Sequence, residues 1–277
     1  MISDKPDSSN YNILEAKTPE VAAIKQLIKK LKIFNSDMNI CFTSANPSGG
    51  LLITNLSDDK SVFVKIKLDA SNFEFYDCKN KIIKAGGNIK EFYTIFKKLD
   101  DDNPITFYMN NNSQHILHIK GIINFSDNIQ AEADLSIRLL DIANLEMPIS
   151  QTVFQNKMTM DSDKFYQICK RLKDYSNFVE ITTIKNEISF SSHVPSDEEK
   201  ITITCKDRIY SNKNDDSDQV VRGVYELRNL MAFVKCNKLC NTIDIYLKND
   251  FPLVLMISVA TLGKMYVFLS PIDNGNN

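Results

Sequence analysis

One amphipathic helical phrase occurs four times along the chain, and any fold of this sequence must give all four copies an apolar surface to lie on. The copies are Ile24-Lys25-Gln26-Leu27-Ile28-Lys29-Lys30-Leu31, Phe92-Tyr93-Thr94-Ile95-Phe96-Lys97-Lys98-Leu99, Phe165-Tyr166-Gln167-Ile168-Cys169-Lys170-Arg171-Leu172 and, more loosely, Leu230-Met231-Ala232-Phe233-Val234-Lys235-Cys236-Asn237. In the first three, apolar residues fall at i, i+3, i+4 and i+7, which places them on one stripe of a helix. The copies recur about 70 residues apart, too far for a small solenoid repeat and suited to a helix carried on a few strands. One structural unit used four times is the expectation.

The segments between the helices shorten to a period of two. Ser61 to Leu68, His115 to Lys120 and Lys200 to Cys205 alternate apolar and polar residues as half-buried strands do. Ser48-Gly49-Gly50 and Gly86-Gly87 are read as turns between strands. The fold class is therefore α+β, with few helices and many antiparallel strands. The third helix opens a second half whose elements repeat the order of the first. This divides the chain into a frayed tail over 1–12, a first domain over 13–137, a connector over 138–154 and a second domain over 155–277. In the connector, from Arg138 to Ser150, neither helical nor strand period holds, and Pro148 disfavours helix at Met147.

With 277 residues, of which 43% are hydrophobic, the chain can bury a large core. No stretch approaches the ~18 consecutive apolar residues of a membrane helix, and the first residues lack the basic and apolar parts of a secretory signal, so an intracellular protein without membrane attachment is expected. Cys41, Cys78, Cys169, Cys205, Cys236 and Cys240 are scattered without a CxxC pair, which points to reduced thiols. The formal charge of -2 conceals an uneven distribution. Lysines gather on the helices, while acids gather at Asp100-Asp101-Asp102, at Asp197-Glu198-Glu199 and around Asp215. A nearly neutral protein can thus present one basic surface.

Lys25, Lys29 and Lys32 project from the polar side of the first helix, Lys97 from the second, Lys170 from the third, and Arg228, Lys235 and Lys238 from the fourth. Lysines solvate the exposed side of any amphipathic helix, but the same bias in four related helices has a further use. Such a surface attracts phosphates through counterion release and carries no sequence information. With no zinc spacing or recognition helix, the residues point to a sequence-blind hold on duplex DNA.

The C-terminal run Asp250-Phe251-Pro252-Leu253-Val254-Leu255, followed by Val259 to Pro271, resembles the ending of the proliferating cell nuclear antigen (PCNA) family of sliding clamps. Phe75 to Asn80, Leu145-Glu146-Met147-Pro148, Phe165 to Leu172 and Leu227-Arg228 agree in order, so the resemblance runs from about Tyr11 to Ile272 as a divergent member. It implies a ring of three subunits around duplex DNA, most simply a homotrimer, with the strand near Ala131 to Ile137 pairing with the strand near Lys200 to Cys205 of a neighbour. It carries DNA contacts over to Lys25, Lys32, Lys97, Lys170, Arg228 and Lys235, with Lys29, Lys30 and Arg171 added. The basic pattern is broken at Gln26, Thr94, Gln167 and Asp174.

The resemblance further implies a pocket for PIP-box peptides of DNA polymerase, clamp loader, ligase and nuclease, serving replication and repair. The matching positions are Leu56, Leu145, Met147, Phe154, Pro252, Phe268 and Ser270. A few apolar anchors at about 1.5–3 kcal/mol each, less ordering costs, correspond to roughly micromolar affinity. Lys185 matches a lysine that receives ubiquitin-like modifiers, although Asn186-Glu187 departs from the usual residues after it. A nuclear location follows, or a viral replication compartment if the protein is viral.

No enzyme is expected, and neither a cofactor nor a metal. His115 and His118 on an alternating strand point to opposite faces, and Asp100-Asp101-Asp102 before Asn103-Pro104 suits a solvated turn better than a metal centre. Checkpoint clamp subunit, viral transcription factor and metal-dependent nuclease stay open as other uses of the same fold. Homotrimer, heterotrimer and monomer also stay open, because an edge strand reads the same whichever chain pairs with it.

Overall fold

The computed structural model describes residues 11–45, 48–126, 129–142, 154, 156–184, 187–192, 202–205, 209–211, 220–235 and 239–272. Along the first half run β1 (Asn12–Thr18), α1 (Val21–Leu31), β2 (Asp37–Thr43), β3 (Gly50–Leu56), β4 (Val62–Asp69), β5 (Phe75–Cys78), β6 (Ile82–Asn88), α2 (Ile89–Lys98), β7 (Ile105–Asn110), β8 (Ile116–Ser126) and β9 (Ile129–Arg138). The second half contributes β10 (Asn156–Asp161), α3 (Ser162–Lys173), β11 (Phe178–Ile184), β12 (Glu187–Ser192), β13 (Thr202–Cys205), β14 (Ile209–Ser211), β15 (Val221–Glu226), α4 (Leu227–Val234), β16 (Thr242–Leu247), β17 (Leu253–Val259) and β18 (Gly263–Leu269). With β5 and β14 set aside as additions, the order strand, helix, strand, strand, strand occurs four times. The unit expected from the repeated helical phrase is therefore a βαβββ motif.

Two compact units form, one from Met1–Asn55, Ile66–Leu145 and Ala260–Gly263, the other from Leu56–Lys65, Glu146–Val259 and Lys264–Asn277. The hairpin between β3 and β4 and the C-terminal hairpin each contribute to both units, so the division is less sequential than the sequence pattern implies. In the first unit, strands are ordered β5-β1-β7-β8-β9 in one sheet and β4-β3-β2-β6 along another. In the second unit, β14-β10-β16-β17-β18 and β13-β12-β11-β15 are the corresponding orders. The pairings are antiparallel, as alternating strands joined by short turns require.

The apolar stripes lie where the periodicity puts them. Ile24, Leu27, Ile28 and Leu31 of α1 are buried, as are Phe165, Ile168, Cys169 and Leu172 of α3. In the first unit Phe107 of β7 meets Phe42 of β2 and Phe96 of α2 at ring separations of 5.9 Å each, so one residue joins both sheets to the helix. In the second unit Phe165 of α3 packs on Phe190 of β12 at 5.5 Å. Helix starts follow local chemistry. The Asn88 side chain accepts from the Lys90 amide ahead of α2, and the Asp161 side chain accepts from the Lys164 amide ahead of α3.

Two expectations give way. Gly86-Gly87 is not a turn but lies inside β6, where glycine admits another backbone: a Cβ on Gly86 would stand 2.4 Å from the Leu140 carbonyl oxygen. Leu140 in turn donates its amide to Gly86 at 2.8 Å, and Asn39 donates its side-chain amide to the Ile142 carbonyl at 3.1 Å. The start of the expected connector is thus fastened to the first unit, and 143–153 lies outside the described residues. His115 precedes β8 rather than belonging to it, because the turn ends one residue later than the alternation implies. His118, inside β8, stacks on Tyr108 at 4.7 Å and faces Asp134 at 3.6 Å.

Candidate nucleic-acid interface and partner pocket

Each unit pairs its two helices antiparallel. In the first, Lys25 near the start of α1 reaches the turn after α2, and Lys32 just past the end of α1 lies over Tyr93 near the start of α2. In the second, Lys235 just past the end of α4 lies over Tyr166 near the start of α3. Several basic residues sit in the last helical turn: Lys29 in α1, Lys97 in α2, Lys170 and Arg171 in α3. Cations there also complement the negative end of the helix dipole, so part of the lysine bias has a purely structural cause.

Lys29, Lys32, Lys97, Lys170, Arg171, Arg228 and Lys235 are exposed, as expected of groups that meet a polyanion. Lys25 departs from that expectation. Its ammonium donates to the Leu99 carbonyl and pairs with Asp101 at 2.5 Å, leaving the side chain 19% exposed. The cause is the antiparallel helix pairing, which delivers the acidic turn after α2 to the flank of α1. Lys30, expected to supplement the basic set, does not: it is only 6% exposed, on the inward side of α1 with Leu27 and Leu31. Arg228 is exposed but shares its charge with Glu226 at 3.3 Å.

The acidic run forms a turn, in agreement with the sequence. Asp100 accepts from the Asp102 amide at 3.2 Å and from the Asn103 and Asn124 side chains at 2.6 Å each, and its pKa is lowered chiefly by the Asn103 hydrogen bond. Among the described residues no three His, Cys, Asp or Glu side chains gather as metal ligands. Cys41, Cys78, Cys169 and Cys240 form no disulfide, and burial pushes the Cys169 thiol up to about 12, which leaves it protonated and inert.

The pocket positions divide. Leu56, Phe154, Pro252 and Phe268 are half-buried and Ser270 is exposed, all within the second unit. Phe154 meets Tyr246 at a tilt at 5.3 Å and Phe251 edge-on at 5.4 Å, while Phe268 packs on Phe63 at 5.6 Å. The rings of Phe154, Tyr246 on β16 and Phe268 on β18 are half-buried, unlike the fully buried rings of the core. Leu145, Met147, Lys185 and Lys238 lie outside the described residues. Tyr246, Phe251 and Phe63 are not evident from the sequence. Phe251 stands inside the C-terminal run that carries the resemblance, but only the ring contacts attach it to Phe154. Tyr246 is fixed by Lys157, which pairs with Asp244 at 3.0 Å, and burial raises the Tyr246 hydroxyl pKa.

Among the described residues, β9 is an end strand of the five-stranded sheet of the first unit and β13 an end strand of the four-stranded sheet of the second. Glu132 and Asp134 line β9, held by Lys120 at 3.4 Å and by Tyr108, whose hydroxyl donates to Asp134.

Residues 13–146 match the profile of the proliferating cell nuclear antigen N-terminal domain, and residues 148–272 that of its C-terminal domain. The chain belongs to the PCNA family, whose sliding clamps are processivity factors rather than enzymes. It is similar to the "Probable DNA polymerase sliding clamp" of Acanthamoeba polyphaga mimivirus, at 43% identity over 99% of this chain and 65% of that relative. It is also similar to the "Probable DNA polymerase sliding clamp 1" of Paramecium bursaria Chlorella virus 1, at 25% identity over 94% of this chain and 97% of the relative. The chain thus spans somewhat less than two thirds of the mimivirus relative's length.

Proposed function

We propose that this protein is a DNA polymerase sliding clamp, which encircles duplex DNA without reading its sequence and tethers replication and repair proteins through PIP-box peptides. The observation that carries the reading is the basic helix pair found once in each of two family domains, with exposed Lys29, Lys97, Lys170 and Arg171 on helices whose opposite stripes are buried. Phosphate contacts of this kind hold the duplex yet permit sliding, because every register along the backbone is equivalent.

The edges β9 and β13 support ring closure. Head-to-tail pairing of β9 with β13 of a second copy would satisfy both strands and, repeated three times, leave neither of these edges free. The half-buried rings of Phe154 and Phe268 support peptide docking, with clamp loader, polymerase, ligase and nuclease as the partners. The relatives named above are viral, which favours a viral replication compartment over the nucleus.

Solution mass and peptide binding test the reading together. A mass near three subunits and roughly micromolar binding of a PIP-box peptide are expected. Phe268→Ala should weaken the peptide by about tenfold or more, as truncation of a buried anchor does. A protein that stays monomeric and ignores the peptide contradicts the proposal.

A further inference from the structure

Ser57 and Asn229, both buried polar residues of the second unit, belong to one hydrogen-bonded cluster around the turn between β3 and β4. Ser61 is its centre, and each of its polar groups is engaged. The Ser61 amide and hydroxyl donate to Asp59 at 3.0 and 2.7 Å, the hydroxyl accepts from the Asn229 side-chain amide at 3.2 Å, and the carbonyl accepts from the Ser270 amide at 2.9 Å. Ser57 closes the other side of the turn, its hydroxyl donating to Asp59 and accepting from the Val62 amide at 2.9 Å.

Asn229 enters this cluster from α4. It is 5% exposed although Arg228 before it is exposed, and its side-chain amide donates to Glu226 at 3.1 Å as well as to Ser61. A buried amide costs stability unless its hydrogens find acceptors, and this one has found both. Its place is not that of an ordinary helix cap. Asn88 and Asp161 cap α2 and α3 from the residue before the helix, whereas Asn229 is the third residue of α4 and reaches sideways to the turn.

The turn runs between Leu56, the last residue of β3, and Phe63 of β4, whose ring packs on Phe268 of β18; Ser270 lies two residues further on. Leu56, Phe268 and Ser270, all matched to the partner-peptide pocket, thus sit on the two segments that Ser61 joins. A pocket shared between a turn and a strand end keeps its shape only while the turn is held, and a wall that is already ordered spares a visiting peptide the cost of ordering it. Asp59 and Ser57 tie the turn to itself. The bond from Asn229 ties it to a helix.

We infer that Asn229 is a positioning residue for the partner-peptide pocket: through Ser61 it holds the β3–β4 turn, and Leu56 with it, beside the end of β18. This rests on the clamp reading above. The test is a titration of the full chain with a labelled PIP-box peptide for the wild type, Asn229→Ala, Ser61→Ala, the double variant and Ser61→Thr, with thermal melts and solution mass measured beside it. Each single Ala variant should bind the peptide about two- to tenfold more weakly, the range that one hydrogen bond of ordinary strength spans. The double variant should bind about as weakly as Ser61→Ala alone, because that change already removes the bond. Ser61→Thr, which keeps the hydroxyl, should bind as the wild type does, and the solution mass should not change. A residue that merely stabilised the subunit would shift the melts and leave peptide affinity where it was.

Should Asn229→Ala fail to fold, the comparison of Ser61→Ala with Ser61→Thr carries the test, and equal peptide affinities of those two would contradict the inference. Wild-type peptide affinity in a folded Asn229→Ala, or losses that add in the double variant, would overturn it while leaving the clamp reading intact. A wild type that binds no PIP-box peptide would overturn the docking part of that reading and this inference together.

Discussion

Asp59, in the turn between β3 and β4, accepts from the Ser57 hydroxyl at 2.5 Å and from the Ser61 amide and hydroxyl at 3.0 and 2.7 Å. These bonds, led by that of Ser57, lower its pKa to about 2. Because the folded value lies below the unfolded one near 3.9, the stabilisation is complete above pH 4 or so and disappears as the pH falls through about 2. Asp59→Asn should therefore lower stability near neutral pH, by no more than about 1 kcal/mol at so exposed a site, and the difference should shrink to a small fraction of that as the pH falls to about 2. Denaturant melts of both proteins at the two pH values check this. Gly86 gives a second case. Gly86→Ala forces a methyl against the Leu140 carbonyl, and a cost of about 1–3 kcal/mol in thermal or urea melts is expected. Asp101 gives a third, where the effect falls on binding. Asp101→Asn removes the counter-charge on Lys25 and leaves its hydrogen bond to the Leu99 carbonyl, so duplex affinity should rise about two- to fivefold, with a steeper salt dependence in a titration over a salt series.

At the scale of elements, the four helices are legible in the sequence because a period of 3.6 in apolar residues survives divergence, and Phe92, Phe165 and Leu230 are buried as the phrase requires. β4, β8 and β13 are legible from alternation for the same reason. The sites are only partly so. Charge can be counted in a sequence, but whether Lys25 faces water or Asp101 depends on how α1 and α2 align, and that is a tertiary fact. The pairing of Phe154 with Phe251, nearly a hundred residues apart, leaves no trace in local periodicity. Gly86-Gly87 misleads because glycine marks both turns and close backbone approach. The edge strand β9 offers an element-scale test. Adjacent amides of a strand point to opposite edges, so of Ala131→Pro and Glu132→Pro one removes only the outward N–H. The variant that retains the wild-type melting profile should yield monomers by light scattering, while the other destabilises the subunit itself.

For the whole molecule, the proposed clamp function spreads duplex binding over the many weak contacts of four βαβββ motifs. Neutral replacements at Lys97, Lys170 and Arg171 should accordingly weaken duplex binding to the same degree on unrelated sequences, and the salt slope should fall by about one for each cation replaced. Phosphate contacts are weak singly, and a polymerase tether needs long residence. The proposed ring resolves the difference by topology, because a closed ring cannot leave a circle however quickly its contacts exchange. The direct measurement loads the protein onto nicked circular DNA with its clamp loader, removes free protein in enough salt to suppress phosphate contacts, and then cuts the circle once. Retention on the closed circle followed by release on linearisation is the predicted result. Equal dissociation from circular and linear DNA, or retention on both, would contradict encirclement.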